Sequence, residues 1–128
     1  MANENVGVYE PGVDLTCHAS AAVTGKRFVS ITGNRQTADN GGNITVAHTG
    51  AGAKAFGVSK YDAASGGKVG VMRGNSRVTY VNCAANLAAG QDVESDASGR
   101  AIVKASGVAV GFAVTAATSG ADAEISLY

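Results

Sequence analysis

The sequence predicts an all-β fold, a small antiparallel β-barrel or β-sandwich with an extended N-terminal arm. Short alternating or apolar runs, bounded by Gly, Asn, Asp and Ser, recur roughly every ten residues. Sustained helical periodicity is absent from the pattern. The chain has 18 Gly, no Trp and only 5% aromatic residues, so its core must be built from small side chains.

Ten strands are expected, separated by turns with suitable chemistry. The predicted strands are residues 14–18, 26–32, 43–48, 54–59, 68–73, 77–82, 91–95, 100–104, 108–114 and 122–128. The turns "DNGGN" (39–43), "RGNS" (73–76) and "DASG" (96–99) supply residues that tolerate a positive φ or bond their own backbone. The stretch "CAANLAAG" (83–90) is compatible with a helical turn or a loop.

Residues 1–13 differ from the rest of the chain and are predicted to be an extended arm. They contain Gly7, Pro11 and Gly12 and show no sustained alternation. Residues 14–128 are expected to form a single β domain. The opening residues lack a basic and an apolar region, so we expect no signal peptide and synthesis in the cytosol. The longest uncharged stretch is too interrupted to span a bilayer, and no membrane partner is expected.

Related segments recur along the chain. Residues 21–31, 63–72 and 116–127 each contain an Ala pair, a small-residue turn, a Gly and an alternating strand. The last two also align upstream, with 55–67 matching 109–121. This predicts a repeated strand–turn–strand unit, which is typical of barrels and sandwiches whose corners are built alike.

The charges are segregated along a chain whose formal net charge is zero. Residues 1–14 carry three acids and no base, residues 26–77 carry eight bases and two acids, and residues 92–124 carry five acids and two bases. Such segregation favours contacts between acidic and basic faces of copies or partners, unless the signs interleave in space.

The nucleotide-binding motifs are incomplete. A phosphate-binding loop needs Ser or Thr after Gly-Lys and then a helix, whereas Gly67 and Lys68 precede Val69 and a predicted strand. Lys68 is instead interpreted as an outward-facing charge available to a neighbouring subunit. The Gly/Ala stretch 49–57 is not followed by the helix of a dinucleotide site. Residues 54–77 are basic but contain few aromatic residues, so no direct nucleic-acid binding is expected.

No complete metal or catalytic motif is present in the sequence. Asp92, Glu94 and Asp96 alternate and are expected to share one outward face of a strand, as in a loose cation site, but the glycine and distal carboxylate of a calcium loop are missing. The Cys and His residues lack zinc-site spacing, and we expect Cys17 and Cys83 to be buried thiols. The sequence therefore predicts no enzyme activity, no cofactor and no metal.

The text "ANLAAGQDVESDASGRAIVKASG" followed by "VAVGFAVTAATSGADAEISLY" resembles the C-terminal half of bacteriophage capsid decoration proteins, also called head-stabilising or cement proteins. "VTGKRFVSITG" fits an early strand of the same family. The matching positions are Leu87, Gly90, Val93, Asp96, Gly99, Gly111, Ala116, Ala117, Ser119, Gly120, Ile125 and Leu127.

The resemblance implies a structural virion protein on the outer surface of the mature phage capsid. Its partner would be the phage major capsid protein, and it would bind as a homotrimer at or near three-fold sites to staple neighbouring capsid subunits. We expect the arm to order on the capsid by adding a strand to an exposed edge. The candidate capsid-binding residues are Asn5, Val6, Val8, Tyr9, Glu10 and Pro11.

Two alternatives remain at this point. A head-fibre or tail ornament module with a carbohydrate-binding or adhesion role would share the β-rich, Gly-rich sequence, although it would be expected to expose more aromatic residues than four Tyr and no Trp. A small enzyme of unknown type is the other, and detectable turnover would favour it.

Overall fold

The computed structural model describes residues 3, 5, 8, 9 and 12–128, and it confirms the all-β fold. All ten predicted strands are present in order. They are β1 (Leu15–Ala19), β2 (Phe28–Ile31), β3 (Thr45–His48), β4 (Gly57–Ser59), β5 (Lys68–Met72), β6 (Val78–Asn82), β7 (Asp92–Ser95), β8 (Ala101–Val103), β9 (Gly111–Ala113) and β10 (Asp122–Leu127). Within the described residues there is one 3-10 turn, Ala38–Asn40, and no α-helix, so residues 83–90 are a loop.

The first five strands form a closed barrel in the order β1-β3-β2-β4-β5, and β5 pairs back onto β1. Four of the five pairs are antiparallel, as predicted, whereas β1 and β3 are parallel, with His18 opposite Thr45. The parallel pair is a geometric necessity, because strand direction cannot alternate around a closed ring with an odd number of strands.

The other five strands form a sheet in the order β6-β10-β9-β7-β8, with antiparallel pairs throughout. One parallel bridge joins Cys83, directly after β6, to Ala101 at the start of β8. The edge strands of this sheet therefore meet at one point, and the sheet curls almost into a second barrel.

The two halves share one topology and one register. Every pair of opposed residues in the first half except His18–Thr45 has a counterpart at the same place in the second. For example, Leu15–Val71 corresponds to Thr79–Ile125, Val29–His48 to Val93–Val103, Phe28–Val58 to Asp92–Phe112, and Ala19–Val46 to Cys83–Ala101. The repeat predicted for 55–67 and 109–121 thus extends over all ten strands.

Of the three segments predicted to repeat one corner, 63–72 and 116–127 are equivalent in the structure, whereas 21–31 is not. Gly66 and Gly120 occupy equivalent corners with φ angles of 85° and 90°, and their N–H groups donate to Ala19 and Cys83. Residues 21–31 are not a third copy, because Val23 pairs directly with Ala63 in the second corner. The similarity of their sequences reflects two facing turns made of small residues.

The core follows the duplication. One cluster of buried residues contains Cys17, Ala19, Val23, Val29, Val46, Val69 and Val71. Their counterparts in the second half are Val81, Cys83, Leu87, Val93, Ala101, Ala123 and Ile125, which are buried in the other cluster. Phe28 and Val58 belong to the first half by sequence, yet both are fully buried in the second cluster. These two side chains join the halves.

Backbone hydrogen bonds and an ion pair reinforce the junction between the halves. The N–H of Phe28 donates to the carbonyl of Gly99 at 2.7 Å, and the N–H of Asn82 donates to the carbonyl of Lys26 at 2.9 Å. The ammonium of Lys26 lies 2.6 Å from a carboxylate oxygen of Asp122. The segment from Lys26 to Phe28 is therefore held between β6 and the β7–β8 turn.

Both cysteines are buried free thiols, as predicted. Burial in the first barrel raises the pKa of the Cys17 thiol to about 11. The Cys83 Sγ lies 3.1 Å from the carbonyl oxygen of Thr118. Each thiol fills a small core position, which is the usual structural use of cysteine in a barrel interior.

Candidate interaction surface

Several acidic and histidine side chains of the described residues make structural hydrogen bonds. No group of three or more His, Cys, Asp or Glu is gathered into a metal-binding cluster within the described part of the chain. The Nε2 of His48 accepts a hydrogen bond from the N–H of Thr24 at 2.9 Å, and burial lowers the pKa of His48. Of the described residues, none forms a helix long and apolar enough to cross a bilayer.

The three alternating acids do not converge. Asp92 accepts a hydrogen bond from the Tyr128 hydroxyl at 2.7 Å. Glu94, predicted to face outward, is instead buried and accepts a hydrogen bond from the N–H of Ala105. Asp96 caps the β7–β8 turn by accepting from the N–H groups of Ser98 and Arg100. The three carboxylates therefore bind different parts of the chain and do not form a shared cation site.

The joint between the arm and the barrel is fixed by charge. The Asp14 carboxylate lies 2.9 Å from the ammonium of Lys60 and 2.6 Å from the guanidinium of Arg77. The hydrogen bond from Lys60 is the largest cause that lowers the pKa of Asp14, with Arg77 adding to it. Arg77 also donates to the carbonyl of Gly12 at 3.0 Å. The direction in which the chain leaves the barrel is thereby set.

Further along the arm, Tyr9 contacts the long loop between β2 and β3. The guanidinium of Arg35 donates to the Tyr9 hydroxyl at 2.6 Å and lies 5.7 Å from the centre of its ring. Arg35 in turn donates to the carbonyl of Gly42 at 2.8 Å. Next to Tyr9, the Val8 side chain is 76% exposed. We call the described arm residues together with loop 32–44 the arm surface.

The arm surface contains three of the six predicted capsid-binding residues. Asn5, Val8 and Tyr9 are exposed, whereas Val6, Glu10 and Pro11 lie outside the described residues. Arg35, which holds Tyr9, was not predicted from the sequence. A contact between two exposed residues far apart in the chain leaves no periodic pattern in the sequence. The only signal that could have indicated Arg35 is the presence of a basic residue in a long polar loop.

The loop itself belongs to one half alone. The connection between β2 and β3 runs over residues 32–44 and includes the 3-10 turn Ala38–Asn40. Its counterpart between β7 and β8 is a tight turn within residues 96–100. An added loop on one copy of a duplicated unit is a common place for a binding function, because the unit folds without it.

A second candidate surface lies on the outer face of the other half. Ser126 on β10 lies between Val78 on β6 and Phe112 on β9, and Tyr80 on β6 lies opposite Glu124 on β10. Val78, Tyr80, Val114 and Tyr128 are each 45–55% exposed. Phe112 packs against Tyr128 with their ring centres 5.9 Å apart. We call these residues, with Asp92, the aromatic face.

Comparison with known proteins places the chain among phage head proteins. Residues 8–127 match the family described as phage cement protein. A similar solved structure is the crystal structure of the head fibre gp8.5 N base in bacteriophage phi29, with a TM-score of 0.73 and 19% sequence identity. The similarity covers 91% of this chain and 93% of that chain, and at this identity it shows a shared fold. No curated protein matches the sequence.

Proposed function

The chain belongs to the phage cement protein family, and from that premise we propose that it binds the exterior of the mature capsid as a trimer at three-fold or quasi-three-fold sites. It is a structural protein associated with the phage head. In this proposal each copy contacts neighbouring subunits of the major capsid protein and staples them together. The arm surface provides the capsid contact.

The availability of the arm backbone is the single observation that carries this proposal. Among the described residues before Leu15, none lies in a strand or makes a backbone–backbone hydrogen bond. Backbone N–H and C=O groups that are not paired with other backbone groups of the chain can pair with the edge of a sheet on a partner. Val8 then offers an apolar side chain for a pocket beside that edge.

Fixing the joint reduces the entropic cost of binding. Asp14 holds one end of the arm through Lys60 and Arg77, and Arg35 holds Tyr9. These contacts already restrict the arm at two points before it binds, which limits the conformational entropy lost on the capsid. The arm surface is therefore prepared for a partner before the partner arrives.

Multivalency makes weak contacts sufficient. Three arms on a trimer would meet three equivalent sites on a rigid lattice, so each arm after the first binds at high effective concentration. Simultaneous binding requires the correct spacing of sites, which the shell acquires when it expands. This explains a preference for mature capsids without any change in the protein itself.

Co-sedimentation with heads tests the arm. Removal of residues 2–12, or the single change Tyr9→Ala, is expected to lower occupancy on expanded heads at least about tenfold, because the loss is multiplied over several arms. Tyr61→Ala is the control, since Tyr61 is a comparably exposed tyrosine outside the arm surface. Unchanged occupancy after the deletion would exclude the arm as the contact while leaving the family assignment intact.

A second candidate function is the base of a head fibre with an adhesion role. It is favoured by the fold shared with the head fibre N base and by the exposed tyrosines Tyr61, Tyr80 and Tyr128. In that case the protein would attach to the head in the same way but bind a further partner at the outer side, such as a surface carbohydrate. Retention on a glycan array by the wild type, lost when these tyrosines are replaced, would support it over stapling alone.

A further inference from the structure

We propose that the aromatic face binds a second copy of the same chain, and that it does so through the surface around Lys68 of that copy. This inference deepens the proposed trimer and rests on it. It identifies which residues make the contact between copies, and the observations that carry it come from the internal duplication.

The duplication supplies the precedent. The opposed pair Phe28–Val58 in the first half corresponds to Asp92–Phe112 in the second. Phe28 and Val58 are fully buried because the second half of the chain covers them. At the corresponding place on the second half, Asp92 is exposed and Phe112 is half-buried. One copy of a repeated binding face is therefore occupied within the chain, and the other is not.

The uncovered face has the character of an interface. Tyr128 leans over the Asp92–Phe112 pair, donating its hydroxyl to Asp92 and placing its ring beside Phe112. Val78, Tyr80 and Val114 extend the apolar area on both sides. Exposed tyrosine and phenylalanine side chains around one polar group are typical of the centre of a protein–protein interface.

Charge identifies the partner surface. Within the chain, Lys26 lies two residues before Phe28 and pairs with Asp122 at 2.6 Å. The place of Asp122 in the first half is taken by Lys68, since Asn82–Asp122 and His18–Lys68 are equivalent pairs. Lys68 is exposed, and its ammonium contacts only the neutral oxygens of Gln36 and Asn43 among the described residues.

The counterparts of Lys26 and Asp122 are Gly90 and Lys68, so the ion pair of the junction has no copy at the other place. On the aromatic face, the exposed carboxylate of Asp92 has no ion-pair partner among residues that the structure describes. A second copy that placed Lys68 beside Asp92 would give each of these two exposed charges a partner of opposite sign. The segregation of bases in the first half and acids in the second favours this pairing of unlike halves.

The contact between copies must differ from the junction in one respect. At the junction the N–H of Asn82 and the carbonyl of Gly99 bond to the segment from Lys26 to Phe28. In the first half the corresponding edge is closed, because the N–H of His18 donates to the carbonyl of Ile44. Copies therefore meet through side chains, in a head-to-tail manner that a ring can close.

Charge exchange provides the test. Asp92→Lys and Lys68→Asp are each expected to raise the dissociation constant for self-association at least about tenfold, measured by sedimentation equilibrium without capsids. The double variant carrying both changes is expected to restore it, because the pair is re-formed with the original signs reversed. Both residues are exposed, so folding is preserved, and the double variant controls for either change alone.

Each outcome decides the proposal separately from the function. Single variants that assemble like the wild type, or a double variant that is not restored, overturn it, as does a wild type that is monomeric both free and on heads. An Asp92→Lys variant that keeps its assembly but loses head binding would assign the aromatic face to the capsid, again overturning the proposal. Failure of an assembled wild type to bind heads would overturn the proposed function alone.

Discussion

Lys26 and Gly90 show how single residues differ between equivalent corners. Lys26 has a φ of 60° and Gly90 a φ of 79°, and their N–H groups donate to the equivalent carbonyls of Ser59 and Ala113. The left-handed conformation costs a residue with a side chain about 1–2 kcal/mol. At position 26 the side chain pairs with Asp122 at the junction between the halves. A glycine in that position would fit the turn but could not make this contact.

Two glycines with similar φ angles should respond differently to alanine. Gly66 has a φ of 85°, and a Cβ added there would meet open space. Gly99 has a φ of 76°, and a Cβ added there would lie only 2.5 Å from the carbonyl oxygen of Phe28. We expect Gly66→Ala to cost about 1–2 kcal/mol of unfolding free energy from the backbone alone. Gly99→Ala adds a collision at the junction and should cost about 2–4 kcal/mol.

Urea denaturation of the two glycine variants beside the wild type measures the difference. Equal losses would show that φ alone matters at both corners. A larger loss at Gly66 would place the sensitive junction elsewhere.

At the scale of the elements, the strands could be predicted from the sequence but their partners could not. Alternation is a local property, so all ten strands were found in order with ends shifted by a few residues. The parallel pairing of β1 with β3 depends on closure of the whole barrel, which no local pattern records. Alternation also shows that Phe28 faces away from Val29, but not that the second half of the chain covers Phe28.

The joint of the arm should depend on pH. The pKa of Asp14 is lowered from its ordinary value of 3.8, first by the hydrogen bond from Lys60. A carboxyl group with a lowered pKa stabilises the folded joint above its ordinary pKa, and the effect is lost as the pH falls through the folded value. We therefore expect the joint to be closed at neutral pH and to loosen below about pH 4.

Hydrogen exchange across the joint is the measurement. Protection factors of the amides at the start of β1, next to Asp14, should fall at low pH, and Asp14→Asn should show the low-pH behaviour already at neutral pH. If protection in Asp14→Asn equals that of the wild type, the ion pairs do not hold the joint.

At the scale of the whole molecule, the structure is two similar units joined at one hydrophobic contact. Seven core positions in one cluster have buried counterparts in the other, and Phe28 and Val58 cross between them. This arrangement explains how a chain with few aromatic residues is stable, because its largest fully buried side chain lies where the two small cores meet. The candidate site was predictable only in part, since the arm was recognised from its composition but Arg35 and the aromatic face required the fold.

Truncation of Phe28 should therefore weaken both halves together. Phe28→Ala is expected to cost about 3–5 kcal/mol of unfolding free energy, as for other buried phenylalanines. Phe112→Ala removes the same side chain from the half-buried aromatic face and should cost about 1 kcal/mol in the monomer. If Phe28 couples the unfolding of the two halves, calorimetry at low protein concentration would show one unfolding transition in the wild type and separate transitions in Phe28→Ala. Equal losses in the two variants would contradict this role.

The crossing of Phe28 also sets the order of events during synthesis. This side chain lies in the second strand, yet it belongs to a buried cluster that includes residues of β6, β9 and β10, so the cluster is complete only when the last strand has left the ribosome. The first barrel can close earlier, but its apolar face around Phe28 is then still exposed to water and to other nascent chains. Completion of the second unit thus ends the period in which the nascent chain is prone to aggregate, and a product truncated before β10 would keep that face exposed.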